Sequence, residues 1–156
     1  MPRAWRLVHK KYAASAFSGE GSRLAGGRWN SEGYPVVYTA GSLSLALLEI
    51  IVHLEFKKAL QHYKAIPVDI PESELLAVDA SRLPSGWNEP LPHSSTLLIG
   101  NRWLQDQGSA AMMVPSSIVP IESNFLLNPQ HPGFGKLTIG TAIDLPLDPR
   151  VLNKLK

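Results

Sequence analysis

The chain predicts an α+β fold, and three observations carry that expectation. Segments rich in β-branched and aromatic residues recur along the whole length, and apolar helix-like runs separate some of them. The two kinds do not follow the regular strand–helix–strand alternation of a doubly wound sheet. No repeat of fixed period and no long linker divides the 156 residues, so a single domain over residues 1–156 is expected. A chain of this length buries most of its apolar surface without cross-links. It has no cysteine, which excludes a disulfide scaffold and any thiolate metal site.

Trp5 to Val8 reads as a short opening strand. Ala16 to Gly27 is rich in glycine and serine and reads as a loop, closing where Gly26-Gly27 permit a tight turn or a close backbone approach. Tyr34 to Ala40 holds Val36, Val37, Tyr38 and Thr39 and predicts a strand. Ser42 then stands as an N-cap before a helix expected over Leu43 to Leu60. Tyr63 to Ile70 and Leu75 to Val78 are strands separated by Pro71-Glu72, and Leu83 to His93 is a proline-rich loop. Thr96 to Gln107 is helical, ending near Gly108. Three late strands follow, at Ala111 to Val114, Ile118 to Pro120 and Leu137 to Ile143.

Several function classes are disfavoured. The N-terminus lacks a charged segment, apolar run and small-residue cleavage site in series, so no secretory signal is expected. The longest apolar stretch, Leu43 to Leu54, is interrupted by Ser44, Glu49 and His53 and is too short to span a bilayer. The five histidines are scattered without ligand spacing, so neither a metal nor a prosthetic group is expected. Net charge is only +2, and Lys10-Lys11 and Lys57-Lys58 are isolated pairs; direct nucleic-acid binding needs more clustered cations. The glycine-rich GEGSRLAGG stretch lacks GxGxxG and the Walker lysine, and no GxSxG elbow accompanies any serine. What remains is a soluble, cytoplasmic protein handling a small anionic ligand.

The candidate residues each have a structural and a functional reading. Glu49 lies among Leu45, Ala46, Leu47, Leu48, Ile50, Ile51 and Val52, so most orientations of its helix bury the carboxylate. Such a group is paired, protonated or functional; pairing with His53 one turn on and a catalytic role are both open. Arg28 follows Gly26-Gly27 and is either an exposed arginine stacked on Trp29 or a fork for phosphate or ribose oxygens. Tyr38 is a core aromatic or a ring-stacking face, and Ser116, between Pro115 and Ser117, is a turn cap or a ligand contact. Asn124 and Asn128 flank Phe125-Leu126-Leu127 and either satisfy loop backbone or line a pocket, while His131 before Pro132-Gly133 reads as a turn residue.

Arg28, Tyr38, Glu49 and Ser116, set in GGRWNSEGYPVVYTAGSLSLALLE and VPSSIVPIESNFLLNP, resemble the signature of the RES-domain family. The resemblance starts near Trp5-Arg6, passes through FSGEGSRLAGGRWN to His53-Leu54, and resumes at VPSSIVP, LLNPQHP and the terminal DPR. It implies a fold like that of ADP-ribosyltransferase toxins, a split curved sheet with flanking helices around a cleft for NAD. It also implies a toxin of a bacterial toxin–antitoxin module that degrades NAD, as a glycohydrolase or phosphorylase, or transfers ADP-ribose to a protein or metabolite. The implied partner is an Xre-type antitoxin carrying a helix-turn-helix region; a chain that only occupies its antitoxin without catalysis is the rival. Glu49 and Arg28 would be catalytic, and Arg28, Trp29, Asn30, Tyr38, Ser116 and Asn128 would bind NAD as a substrate. Loss of nicotinamide passes through a cationic, oxocarbenium-like state, which Glu49 would stabilise while Arg28 anchors the pyrophosphate or ribose. Tyr38 would stack on nicotinamide, and Ser116 would hold the ribose or orient Glu49.

Overall fold

The computed structural model describes residues 1–55 and 57–155 of the protein. Alternation builds the first strand, β1 (Arg3–His9): Ala4 and Val8 bury on one face, Leu7 and the half-buried Trp5 on the other. Within the stretch expected to be a loop, Glu20–Ala25 forms a short helix, α1, bracketed by the left-handed glycines Gly19 and Gly26. Glycine and serine content masked it; the Glu20–Arg23 ion pair one turn apart and the glycine termini support it locally. Strand β2 (Val37–Ala40) is shorter than expected, because Pro35 has no N–H to offer a ladder.

Helix α2 (Leu43–Ile51) is capped as expected, with Ser42 Oγ accepting from Leu45 N at 3.1 Å. It stops at Ile51 rather than running to Leu60. Three consecutive β-branched residues, Ile50-Ile51-Val52, weaken the final turn, and Val52 and His53 are exposed, so burial does not reward continuation. Phe56, inside the expected continuation, lies outside the described residues. A 3-10 turn at Lys57–His62 leads into β3 (Tyr63–Asp69), and β4 (Leu75–Ala77) follows. Helix α3 (Ser94–Asp106) begins at His93 and ends at the left-handed Gln107.

Strand β5 (Ala111–Pro115) matches expectation, but the strand expected at Ile118 to Pro120 is a turn. Ser116 N donates to Glu122 O and Glu122 N to Val119 O, which closes a loop that leaves Ile121 96% exposed. The chain returns instead as β6 (Ser123–Leu127), a central strand where the sequence showed only an apolar triplet between asparagines. The strand expected over Leu137 to Ile143 is split into β7 (Thr138–Ile139) and β8 (Ile143–Asp144), which pair with opposite ends of β3. Pro67 causes the break: it has no N–H to donate on that edge, so only its carbonyl is used, by Gly140 N. A terminal helix, α4 (Pro149–Lys154), is capped by Asp148.

Among the described residues the strands form one eight-stranded sheet in the order β4-β5-β6-β2-β1-β3-β7, with β8 also on β3. All pairs are antiparallel except β4–β5. One face carries Ala4, Val37, Val68, Phe125 and Leu127, covered by Leu137 with Phe17 and Phe134. The other face meets α2 through Leu7, Ala40, Leu45, Ala46 and Ala65, and meets α3 through Trp29, Trp103, Leu126 and Val114. The sheet opens between its two halves. Strand β1 pairs with β3 along its whole length, but with β2 at a single register position, Trp5–Ala40.

Candidate active site

The cleft sits on the helix-bearing face, between α2 and the Gly26–Trp29 segment, where β1 and β2 diverge. Its volume is about 540 Å³, within the range of roughly 300–1,000 Å³ common for small-molecule sites. Trp5, Leu7, Tyr38, Ala40 and Leu126 form an apolar floor, and Arg6, Arg28, Glu49, His53 and Asn124 bring the polar chemistry to it.

Glu49 is held from the turn that follows β5 and from β6. Ser116 Oγ donates to Glu49 Oε1 at 2.6 Å, and Asn124 Nδ2 donates to the same oxygen at 2.9 Å. The Ser116 hydroxyl has no freedom in this: its oxygen already accepts from Ile118 N at 3.0 Å and Val119 N at 3.1 Å, so its proton points to the carboxylate. Glu49 Oε2 keeps no protein partner among the described residues. His53 lines the cleft mouth and is exposed, and the described hydrogen bonds of Glu49 go to Ser116 and Asn124, not to His53.

Arg28 reaches the cleft with its fork already engaged. Nη1 donates to Trp87 O at 2.8 Å and Nη2 to Glu89 O at 2.6 Å, which ties the proline-rich 83–93 loop to the cleft rim, where Pro92 lines it. Burial lowers the Arg28 guanidinium from arginine's ordinary value, while the Glu49 carboxylate acts in the opposite sense; arginine stays protonated regardless. Arg28 and Glu49 line the same cleft. Two contacts from α3 hold the segment behind it: Thr96 Oγ1 donates to Arg28 O at 2.7 Å, and Asn101 Oδ1 accepts from Ser31 N at 2.9 Å.

Tyr38 lines the cleft, but its hydroxyl is committed: it donates to Asn30 Oδ1 at 2.6 Å and accepts from Trp29 N at 3.1 Å. Burial pushes the phenol strongly up, so it remains neutral. A Cβ on Gly27 would lie 2.6 Å from the Tyr38 hydroxyl, so only glycine lets the turn close on that ring.

The expected residues therefore separate. Arg28, Trp29, Tyr38 and Glu49 line the cleft. Ser116, 0% exposed, lies behind Glu49 and orients it rather than lining the cleft. Asn30 is buried, holds Tyr38, and satisfies the carbonyls of Ser22, Ser31 and Tyr34. Asn128 is outside the cleft lining: its N–H donates to Ala110 O and its Oδ1 accepts from Gln130 N at 3.0 Å, as a turn residue. His131 ties the same turn, accepting from Gly133 N at Nδ1 and meeting Gln107 O through Nε2.

Arg6 was passed over as a site residue. It fills the gap where β1 leaves β2, with Nε donating to Ala16 O at 3.1 Å and Nη1 reaching Tyr38 O at 3.4 Å. No carboxylate pairs with it among the described residues, and burial lowers it from arginine's ordinary value. Alternation gave no signal for it: Arg6 falls on the strand face of the buried Ala4 and Val8, opposite the cleft-facing Trp5 and Leu7, and its side chain reaches the cleft through the gap between β1 and β2.

The RES domain matches residues 3–148 of the chain. "Toxin Res" of Photorhabdus laumondii subsp. laumondii is 40% identical over 153 residues, covering 97% of this chain and 98% of that protein. The "Prs ADP-ribosylating toxin" of Sphingobium sp. is 34% identical over 155 residues, covering 96% of each. In three dimensions the chain is similar to a chain of the M. tuberculosis MbcT-MbcA toxin-antitoxin complex, with a TM-score of 0.76 and 20% identity, covering 99% of this chain and 88% of that one. The expected α+β fold is thus borne out. With the domain match spanning almost the whole sequence and two relatives above one-third identity over nearly their full lengths, this chain belongs to the RES domain family.

Proposed function

We propose that this protein is the toxin of a bacterial toxin–antitoxin module and that it splits the nicotinamide–ribose bond of NAD. The observation that carries the reading is the Glu49 carboxylate, fixed through Oε1 by two donors while Oε2 has no partner among the described residues, on a residue lining an apolar cleft. That is the arrangement a developing ribosyl cation needs, since a preoriented negative charge stabilises it without reorganising at the moment of reaction. The bond between the ribose anomeric carbon and the pyridinium nitrogen breaks heterolytically. Its electron pair leaves with nicotinamide, which departs as a neutral base and needs no acid. Water, which gives up a proton to solvent as it bonds, or inorganic phosphate then adds to the ribosyl carbon, which makes the net activity a glycohydrolase or a phosphorylase.

Arg28 and Arg6 supply positive charge to the same cleft for the pyrophosphate. An anionic oxygen is a stronger acceptor than the neutral carbonyls that Arg28 now holds. Tyr38, Trp5 and Leu126 offer the flat apolar surface for a ring. Transfer of ADP-ribose to a protein or metabolite is the second reading, favoured by the name of the Sphingobium relative.

The implied partner is an antitoxin of the Xre type, whose terminal segment covers the Arg28–Glu49 cleft; the similarity to a chain of a toxin–antitoxin complex supports a partner on this fold. Pure protein incubated with NAD should release nicotinamide and ADP-ribose, or ADP-ribose 1″-phosphate when phosphate is present. Glu49→Gln should fold normally and lose on the order of 100-fold or more of that rate. Addition of the antitoxin encoded beside it should suppress release. Full turnover by Glu49→Gln would return Glu49 to a structural role, and a stable complex that leaves turnover at full rate would remove cleft blocking.

A further inference from the structure

Asn124 presents chemistry that the fold itself does not require. It sits on β6 opposite Ala40 of β2 and Val114 of β5, both apolar, and all three line the cleft. A strand position between such neighbours is ordinarily filled by an aliphatic residue, which packs there and leaves no polar atom to satisfy. The asparagine instead leaves one buried side-chain atom, Oδ1, with no hydrogen-bond partner among the described residues. Its amide cannot turn to relieve this. The other end meets Glu49 Oε1 at 2.9 Å, and an ionised carboxylate only accepts, so the NH₂ must face it and the carbonyl must face away.

An unsatisfied buried acceptor costs stability, so what Asn124 contributes lies at Glu49. Ser116 alone gives the carboxylate one donor, about which it can still rotate. The Asn124 amide, arriving from β6, converges on the same oxygen and fixes the plane of the group. We propose that Asn124 is a positioning residue for Glu49, which sets the direction of the unpaired Oε2 at a cost in folding stability. This role rests on the reading that Glu49 acts on a ribosyl cation.

The test compares wild type, Asn124→Val, Asn124→Ser and Asn124→Asp by thermal melting and by nicotinamide release from NAD. Asn124→Val should melt at or above the wild-type temperature, since it removes the orphaned acceptor and suits a strand. Its kcat should fall by roughly 10- to 100-fold, as for other small misplacements of a reacting group. KM should stay within about twofold, since ground-state binding is untouched. Asn124→Ser, which keeps a donor, should recover part of the rate. In Asn124→Asp two carboxylates face each other, so one must hold a proton, and turnover should decline as pH rises. A lowered melting temperature with unchanged kcat in both Asn124→Val and Asn124→Ser would make Asn124 structural and overturn the proposal. A raised KM with unchanged kcat would make it a substrate contact and overturn it equally. A wild type that releases no nicotinamide overturns the functional reading, and this role with it; an active wild type matched by Asn124→Val overturns this role alone.

Discussion

Arg28 is asked to do two things at once. Its fork grips two loop carbonyls, those of Trp87 and Glu89, while the proposed chemistry asks it to meet an anion. A guanidinium can serve both, because it has five donors in a fixed plane, whereas an ammonium is a single point of charge. Arg28→Lys should therefore weaken NAD binding by about tenfold or more and lower kcat/KM with it. Calorimetric titration of NAD in a Glu49→Gln background checks this without turnover, and an unchanged Kd would take Arg28 out of the ligand shell. The residue types at Arg28, Tyr38 and Glu49 were legible in the sequence because their chemistry is local: a cation beside glycines, an aromatic in a strand, a carboxylate in an apolar helix. Their partners were not legible. The donors on Glu49 lie 67 and 75 residues away, at Ser116 and Asn124, and only the pairing of β2, β5 and β6 brings them to one oxygen.

At the level of elements, α3 positions the arginine without touching the ligand space. Gly100 faces the backbone of Trp29 so closely that a Cβ there would lie 1.6 Å from the Trp29 carbonyl oxygen. No rotamer relieves a clash with backbone, so Gly100→Ala must push α3 and the Arg28–Trp29 segment apart. We expect a loss of about 1–3 kcal/mol or more in unfolding free energy, together with weakened NAD turnover, read by denaturant titration and nicotinamide release. A stable, fully active Gly100→Ala would show that α3 does not set the arginine. Helix α3 itself was legible in the sequence as Thr96 to Gln107, ending near Gly108. Strand β6 was not, because both its faces are buried, so Phe125-Leu126-Leu127 is a continuous apolar triplet without alternation, too short beside Asn124 to mark a strand.

For the whole molecule, the decisive event is the parting of β1 from β2. It opens the cleft, exposes Tyr38 O to the Arg6 side chain, and leaves the two halves of the sheet joined mainly by what packs on their faces. Ion pairs add ties at the β3 side: Arg3 holds Asp69, and Lys64 holds Asp144, in each case keeping the carboxyl below its usual range, chiefly through the side-chain hydrogen bond. Arg23 does the same for Glu20, and Arg150 for Asp148. Because the folded values are depressed, their contribution is present above the unfolded carboxylate values and is lost as pH falls through the folded ones. The thermal midpoint should therefore decline below about pH 4. The groups are exposed, so the effect should be small and should shrink further in high salt. Melts across pH 2 to 6 (roughly, the carboxylate range) at two salt concentrations check this; a midpoint that rises on acidification would contradict it.

The sequence by itself determined the α+β class, the capping of α2 by Ser42 and the family, because each depends on residue types at short range or on motifs kept in order along the chain. It also singled out Arg28, Tyr38 and Glu49, which the structure brings to one cleft. Tertiary structure decided what each of them does. Ser116 became the support of Glu49 rather than a wall of the cleft, Asn30 the support of Tyr38, and Asn128 a turn residue. Arg6 and Asn124 entered the cleft by the divergence of β1 from β2 and the register of β6. For Ser116 and Asn124 on Glu49, and for Arg6 beside Tyr38, the physical reason is shared. A side chain's composition is written at its own position, but its partner is set by strand pairing between segments far apart in the chain, and a slip of one residue in that pairing would turn each to the opposite face.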